Sequence, residues 1–167
     1  RHRGWYVEKQ PDYQYANHSN AVPLTAAEFP LAAQEYTIVF VGSEAATTPV
    51  VLLGLNAEEN LYLEDGHHWK ARYIPAFVRR YPFVFSTSED GQQFTLCIDE
   101  KFSGCNQEGR GERLFDSEGE RSQYLASILA FLKDYQAHFQ RTQVFCKKLK
   151  ELDLLEPMRA AFTLNTG

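Results

Sequence analysis

The sequence predicts an α+β fold: a mainly antiparallel sheet, a short helix near 74–81, and a long C-terminal helix or helical hairpin over about 121–152. Three observations carry this. The apolar and β-branched runs at Tyr36–Val41, Val50–Leu55 and Phe94–Ile98 are strand-sized. The segments between the first runs are short and turn-like, which suits antiparallel pairing, because a parallel crossover needs a dozen or more linking residues. From Ser122 the apolar period turns helical: Leu125, Leu132, Phe139 and Cys146 lie seven apart, matched by Ile128, Tyr135, Thr142 and Leu149.

Taken in order, residues 1–35 are irregular and rich in aromatics, with Trp5, Tyr6, Tyr13 and Tyr15, and are expected to cross the core as an extended arm. Thr25-Ala26-Ala27-Glu28 has the form of a capping box, with Pro30 limiting the helix it starts. Tyr36–Val41, Val50–Leu55 and the shorter Asn60–Leu63 are read as a meander. Pro75 suits the first turn of a helix, where its missing N–H costs nothing, and Pro82 disfavours the helical region at Tyr81. Phe83–Ser86 and Phe94–Ile98 then form a hairpin around Glu89-Asp90-Gly91. Glycine and charge dominate 100–119, read as a loop. An unbroken helix over 121–152 would be roughly 45 Å long. A compact domain of this size has a radius of gyration of about 15 Å. The helix is therefore expected either to break near Ala137–Gln143 or to protrude towards a partner, with Pro157 ending it and Ala160–Leu164 returning as a strand.

The 167 residues fit a single domain, and 44% hydrophobic content excludes a disordered chain. A net charge of −5 disfavours nucleic acid as a partner, apart from a local basic patch at Lys70, Arg72, Arg79 and Arg80. No apolar run reaches the 18 residues of a spanning helix, so no membrane span is expected. Arg1 opens the chain without an apolar leader, which fits an upstream piece having been removed. Cys97, Cys105 and Cys146 are odd in number and scattered, pointing to free thiols and a reduced, cytoplasmic setting.

The candidate sites are sparse. Glu64, Asp65, His67 and His68 offer metal-type ligands, but adjacent histidines on a strand face opposite sides. No metal or other cofactor is expected; a metal-assisted enzyme using His67, His68 and a distant carboxylate such as Glu100 is the alternative. Arg79 and Arg80 can grip a small anion, since guanidinium is a planar bidentate donor, and Trp69 and Tyr73 would flank it; an ion pair with an acidic core neighbour is the competing reading. Asp99 and Glu100 face opposite sides of a strand end, which weakens paired acid–base chemistry. No nucleophile elbow, phosphate-cradling loop or dinucleotide fingerprint is present, and Ser103-Gly104-Cys105 lacks a nearby base, so no catalytic residue is assigned. Across 68–86, Trp69, Tyr73, Phe77, Tyr81 and Phe83 are spaced so that several turn inward. The helical stripe is read first as packing on the chain's own sheet. The alternative is a homodimer through the far half, with Phe139, Leu149 and Leu152 at the contact.

An ordered set of short blocks resembles the bacterial SapC family. It runs Glu28-Phe29-Pro30, Ile38-Val39-Phe40, Asn60-Leu61, Trp69, Tyr73-Ile74-Pro75, Arg79-Arg80, Pro82-Phe83, Leu114-Phe115 and Leu154-Leu155-Glu156-Pro157, covering about 22–165. The chain departs from the pattern at Lys101-Phe102-Ser103-Gly104, where the family has an acidic stretch followed by Ser-Pro. Family members also run on past the last matched strand, which implies a missing C-terminal segment. The resemblance implies one SapC-like domain over 1–167, a surface-layer or resistance role, and cell-surface association as an alternative to the cytoplasm. It supplies no catalytic residue. The combined expectation is a soluble, non-enzymatic binding or assembly protein, whose partner is another protein or a small anionic ligand.

Overall fold

Short antiparallel ladders and one long helix make up the α+β fold expected from the sequence. The structure, a computed structural model, describes residues 2–9, 12–42, 46–88 and 93–159. In chain order the elements are β1 (Tyr6–Val7), β2 (Ala21–Pro23), α1 (Phe29–Ala32), β3 (Ile38–Gly42), β4 (Thr47–Leu52), β5 (Leu63–Glu64) and β6 (His68–Trp69). There follow α2 (Ala76–Arg79), β7 (Phe83–Thr87), β8 (Phe94–Ile98), β9 (Cys105–Asn106), β10 (Glu112–Arg113) and α3 (Gln123–Glu151). The chain divides into two compact units, Arg1–Asp12 with Ala76–Ala137, and Tyr13–Pro75 with His138–Gly167.

In the first unit β1 pairs antiparallel with both β9 and β10. The 100–119 segment, expected as a loop, therefore supplies two strands. Gly111 shows why: its φ is +82°, and a Cβ there would lie 2.5 Å from the Val7 carbonyl oxygen. Only glycine lets the chain pass β1 so closely. The β7–β8 hairpin has the expected register, Phe83↔Ile98 and Phe85↔Leu96, while its Glu89-Asp90-Gly91 turn lies outside the described residues. The core is Val7, Phe83, Leu114, Leu125 and Leu132. The helix near 74–81 is shorter than expected, Ala76–Arg79, because Pro75 and Pro82 leave room for one turn. Of the six aromatics in the 68–86 block only Phe83 is fully buried; Trp69, Tyr73, Phe77, Tyr81 and Phe85 are half-buried.

In the second unit β4 is central, with β2 on one side and β3 on the other. The first two strands of the predicted meander pair as expected, but β5 pairs with β6 rather than extending that sheet. The Thr25 amide donates to the Glu28 carboxylate at 2.8 Å, as the predicted capping box requires, and the Thr25 hydroxyl donates to the same carboxylate at 2.8 Å. The helix that the box starts is short, as expected, a single 3₁₀ turn over Ala26–Glu28, and Pro30 sits in the first turn of the four-residue α1 that follows, where proline is tolerated. The C-terminal half of α3 packs within this unit: Thr142 and Cys146 are buried, and the Thr142 hydroxyl oxygen accepts from the Ala26 amide at 2.8 Å.

Helix α3 is continuous through Ala137–Gln143, so of the two expected forms the long helix is present and the helical hairpin is not. At 29 residues it is about 43 Å long. It ends at Glu151, ahead of Pro157, and Asp153 two residues on has a φ of +52°, which does not continue a helix. Ala160–Leu164 lies outside the described residues. No helix among the described residues is long and apolar enough to cross a membrane.

Candidate functional site

Two arrangements bring functional side chains together, one in each unit. The first is a polar network in the second unit that takes in Trp69 and Tyr73. The Trp69 indole N–H donates to the Tyr36 hydroxyl at 2.7 Å, and the Tyr36 hydroxyl donates to the Tyr73 carbonyl. The Tyr73 hydroxyl donates to the buried Glu28 carboxylate at 2.7 Å. The Glu35 carboxylate receives the Arg72 and Tyr73 amides at 3.0 and 2.9 Å, which hold its pKa below the ordinary value, the Arg72 amide most strongly. Burial pushes the Tyr36 phenol well above its ordinary pKa; burial and then the Glu35 charge raise that of Tyr62. The Tyr13 ring meets Trp69 edge-on at 5.7 Å. No buried side-chain nitrogen or oxygen among the described residues lacks a hydrogen-bond partner. The groups of this network face one another, and its chemistry is that of a brace tying the 69–73 segment to Glu28, Glu35 and Tyr36.

The second arrangement is a cavity of about 450 Å³, lined wholly by residues of the first unit. Its first wall is the β7–β8 hairpin. Side chains alternate along a strand, so the register places Phe83 and Phe85 on one face with Phe94, Leu96 and Ile98. Exposure on that face rises from 3% at Phe83 to 43% at Phe94. The second wall is α3, through Leu125, Leu129 and Lys133, one turn apart on one helix face. Here too exposure rises, from 4% at Leu125 through a half-buried Leu129 to an exposed Lys133. Arg121 lies one further step of four before Leu125 and also lines the cavity. It bridges Phe115 as an isolated antiparallel pair, which fixes its position ahead of the helix. His2 completes the polar lining, and its Nε2 lies 2.7 Å from the Glu100 carboxylate.

The other residues singled out from the sequence fall outside both arrangements. The Arg79 guanidinium lies over the Phe131 ring at 5.3 Å; that of Arg80 lies over Phe77 at 4.1 Å and Tyr135 at 5.5 Å. The contacts described for both arginines are with aromatic faces, a favourable setting for a weakly hydrated planar cation. His68 is exposed on β6 and His67 half-buried in the turn before it. Among the described residues no three His, Cys, Asp or Glu side chains form a group able to hold a metal. Asp99 accepts the Lys101 amide at 3.0 Å and the Tyr81 hydroxyl at 2.9 Å; these bonds, the amide first, lower its pKa. Burial, then Asp99, pushes the Tyr81 phenol up to about 12. The three cysteines are free, and burial raises the thiol pKa of Cys105 and Cys146, which is unlike an activated nucleophile. Phe139 and Leu149 are half-buried, and Leu152 is 54% exposed.

The cavity was not anticipated, because its walls come from three distant stretches without a motif. One signal was present: the i, i+4 row Arg121, Leu125, Leu129, Lys133, two leucines between two cations.

No curated protein and no solved structure matches the chain. The SapC family model matches residues 1–167, and on that match the chain belongs to the SapC family.

Proposed function

We propose that this SapC-family protein is a non-enzymatic binding protein for a small molecule, and that its site is the cavity between the β7–β8 hairpin and α3. The carrying observation is the cavity itself: at about 450 Å³ it lies within the roughly 300–1,000 Å³ typical of ligand pockets. A mostly apolar wall with a few polar groups at its margin is also the usual composition of such sites. A binding role, rather than catalysis, is supported by how those groups are engaged. His2 faces Glu100, and the Cys97 thiol is directed to the Thr95 carbonyl at 3.7 Å, so among the described lining residues no nucleophile sits beside a base.

The test is binding of the neutral fluorophore N-phenyl-1-naphthylamine. Wild-type protein is expected to enhance and blue-shift its emission saturably. Leu129→Trp, which fills the cavity from a half-buried helix position, is expected to weaken binding at least tenfold while the circular dichroism of α3 is kept. Failure of folded wild-type protein to bind the dye would overturn the reading.

A further inference from the structure

Resting on the cavity as the binding site, we infer that its ligand is a single-chain amphiphile with an anionic head, a long-chain carboxylate in chemical class. The apolar chain lies against the Phe83–Phe85 and Leu125–Leu129 walls, and the head pairs with a cation of the Arg121–Lys133 row. Three observations converge on this. The lining is divided by chemistry: the hairpin contributes one apolar face, and the helix contributes leucines flanked by cations. Among the described residues no carboxylate side chain lines the cavity, so its described charge is one-signed. His2 adds little to this field, because Glu100 stands 2.7 Å from its ring. Arg121 and Lys133, by contrast, make no ion pair or side-chain hydrogen bond with any described residue. In a chain of net charge −5, two cations beside an apolar cavity and without acidic partners select an anion.

A carboxylate is the natural head for Arg121, whose fork matches its two oxygens. Exposure rises from Phe83 to Phe94 along the hairpin and from Leu125 to Lys133 along the helix, so Phe83 and Leu125 are the dry middle of the cavity, with one wet margin at Phe94 and Lys133 and the exposed Arg121 at the other. An amphiphile matches the step from dry middle to wet margin, one end needing to be dry and the other wet.

The experiment is displacement of N-phenyl-1-naphthylamine by octanoate, decanoate and decan-1-ol at low and high salt. Decanoate is expected to bind about tenfold more tightly than octanoate, from two further buried methylenes. It should also exceed decan-1-ol about tenfold at low salt, with the gap narrowing as salt screens the head. The exposed pair Arg121→Gln with Lys133→Gln should remove that tenfold preference, with the melting temperature and the circular dichroism of α3 showing that the fold is kept. The single variants then locate the head. Equal binding of decanoate and decan-1-ol, indifferent to the double variant, would overturn the anionic head while leaving the cavity as the site. Decanoate binding that survives both the double variant and Leu129→Trp would place its site elsewhere and overturn the inference. If no alkyl ligand and no dye binds, the cavity reading falls and this one with it.

Discussion

Glu35 and Asp99 do comparable work in different units. Each carboxylate gathers backbone or phenol donors from a neighbouring segment: Arg72 and Tyr73 amides at Glu35, the Lys101 amide and the Tyr81 hydroxyl at Asp99. Both pKa values are lowered, so the folded state favours the charged form. Such groups contribute their full stability above the ordinary carboxylate pKa, about 4, and lose it as pH falls through the lower folded value. The melting temperature of the wild-type protein is therefore expected to drop on acidification below about pH 4. Glu35→Gln and Asp99→Asn should each flatten that acid limb, because neither variant has a charge to lose. An acid limb identical in all three proteins would show that these contacts do not differ energetically between folded and unfolded states. None of this could be read from the sequence, where Glu35 is one acidic residue among many. Its importance comes from meeting the amides of residues 72 and 73, far along the chain.

At the scale of elements, α3 shows how well local periodicity works and where it stops. Leu125, Leu132 and Cys146 are buried as the seven-residue spacing required, and Thr142, the polar member of the second series, is buried too. Its hydroxyl donates to the His138 carbonyl at 2.7 Å while its oxygen accepts from the Ala26 amide. Thr142→Val keeps the shape and strands that part-buried amide. A loss of about 1–3 kcal/mol in urea unfolding is expected, the usual penalty for an unsatisfied buried donor. An unchanged midpoint and slope would mean that Ala26 finds another acceptor. The hairpin was equally legible, because Phe83–Ser86 and Phe94–Ile98 lie close in sequence and their apolar faces alternate. By contrast, β9 and β10 are two residues long and too short to alternate; they exist only because β1, a hundred residues earlier, lies between them. The cavity was illegible for the same reason. Its cations became visible once the hairpin supplied the opposing wall, whereas Arg79 and Arg80, more conspicuous in sequence, rest on aromatic rings.

At the scale of the whole molecule, the question is whether the two units open together. Helix α3 is continuous from Gln123 to Glu151; it places Leu125 and Leu132 in the core of the first unit and Thr142 and Cys146 among the buried residues of the second. Interrupting a helix in mid-length forfeits the cooperativity that holds its turns, so the expectation to be tested is that opening in one half is felt in the other. Cys146 reports on this directly. It is 1% exposed, and burial raises its thiol pKa, so alkylation requires its surroundings to open. A ligand held in the first unit at a hundred times its dissociation constant stabilises the closed form by about 2.7 kcal/mol, a factor of about 100. With decanoate bound at that level, pulse alkylation of Cys146, quantified by peptide mass spectrometry, is expected to slow by up to that factor. Amide exchange at Phe83 and Leu96 serves as the internal standard for ligand binding. Slowed exchange there with unchanged Cys146 labelling would show that the second unit opens by itself and that α3 does not couple the two.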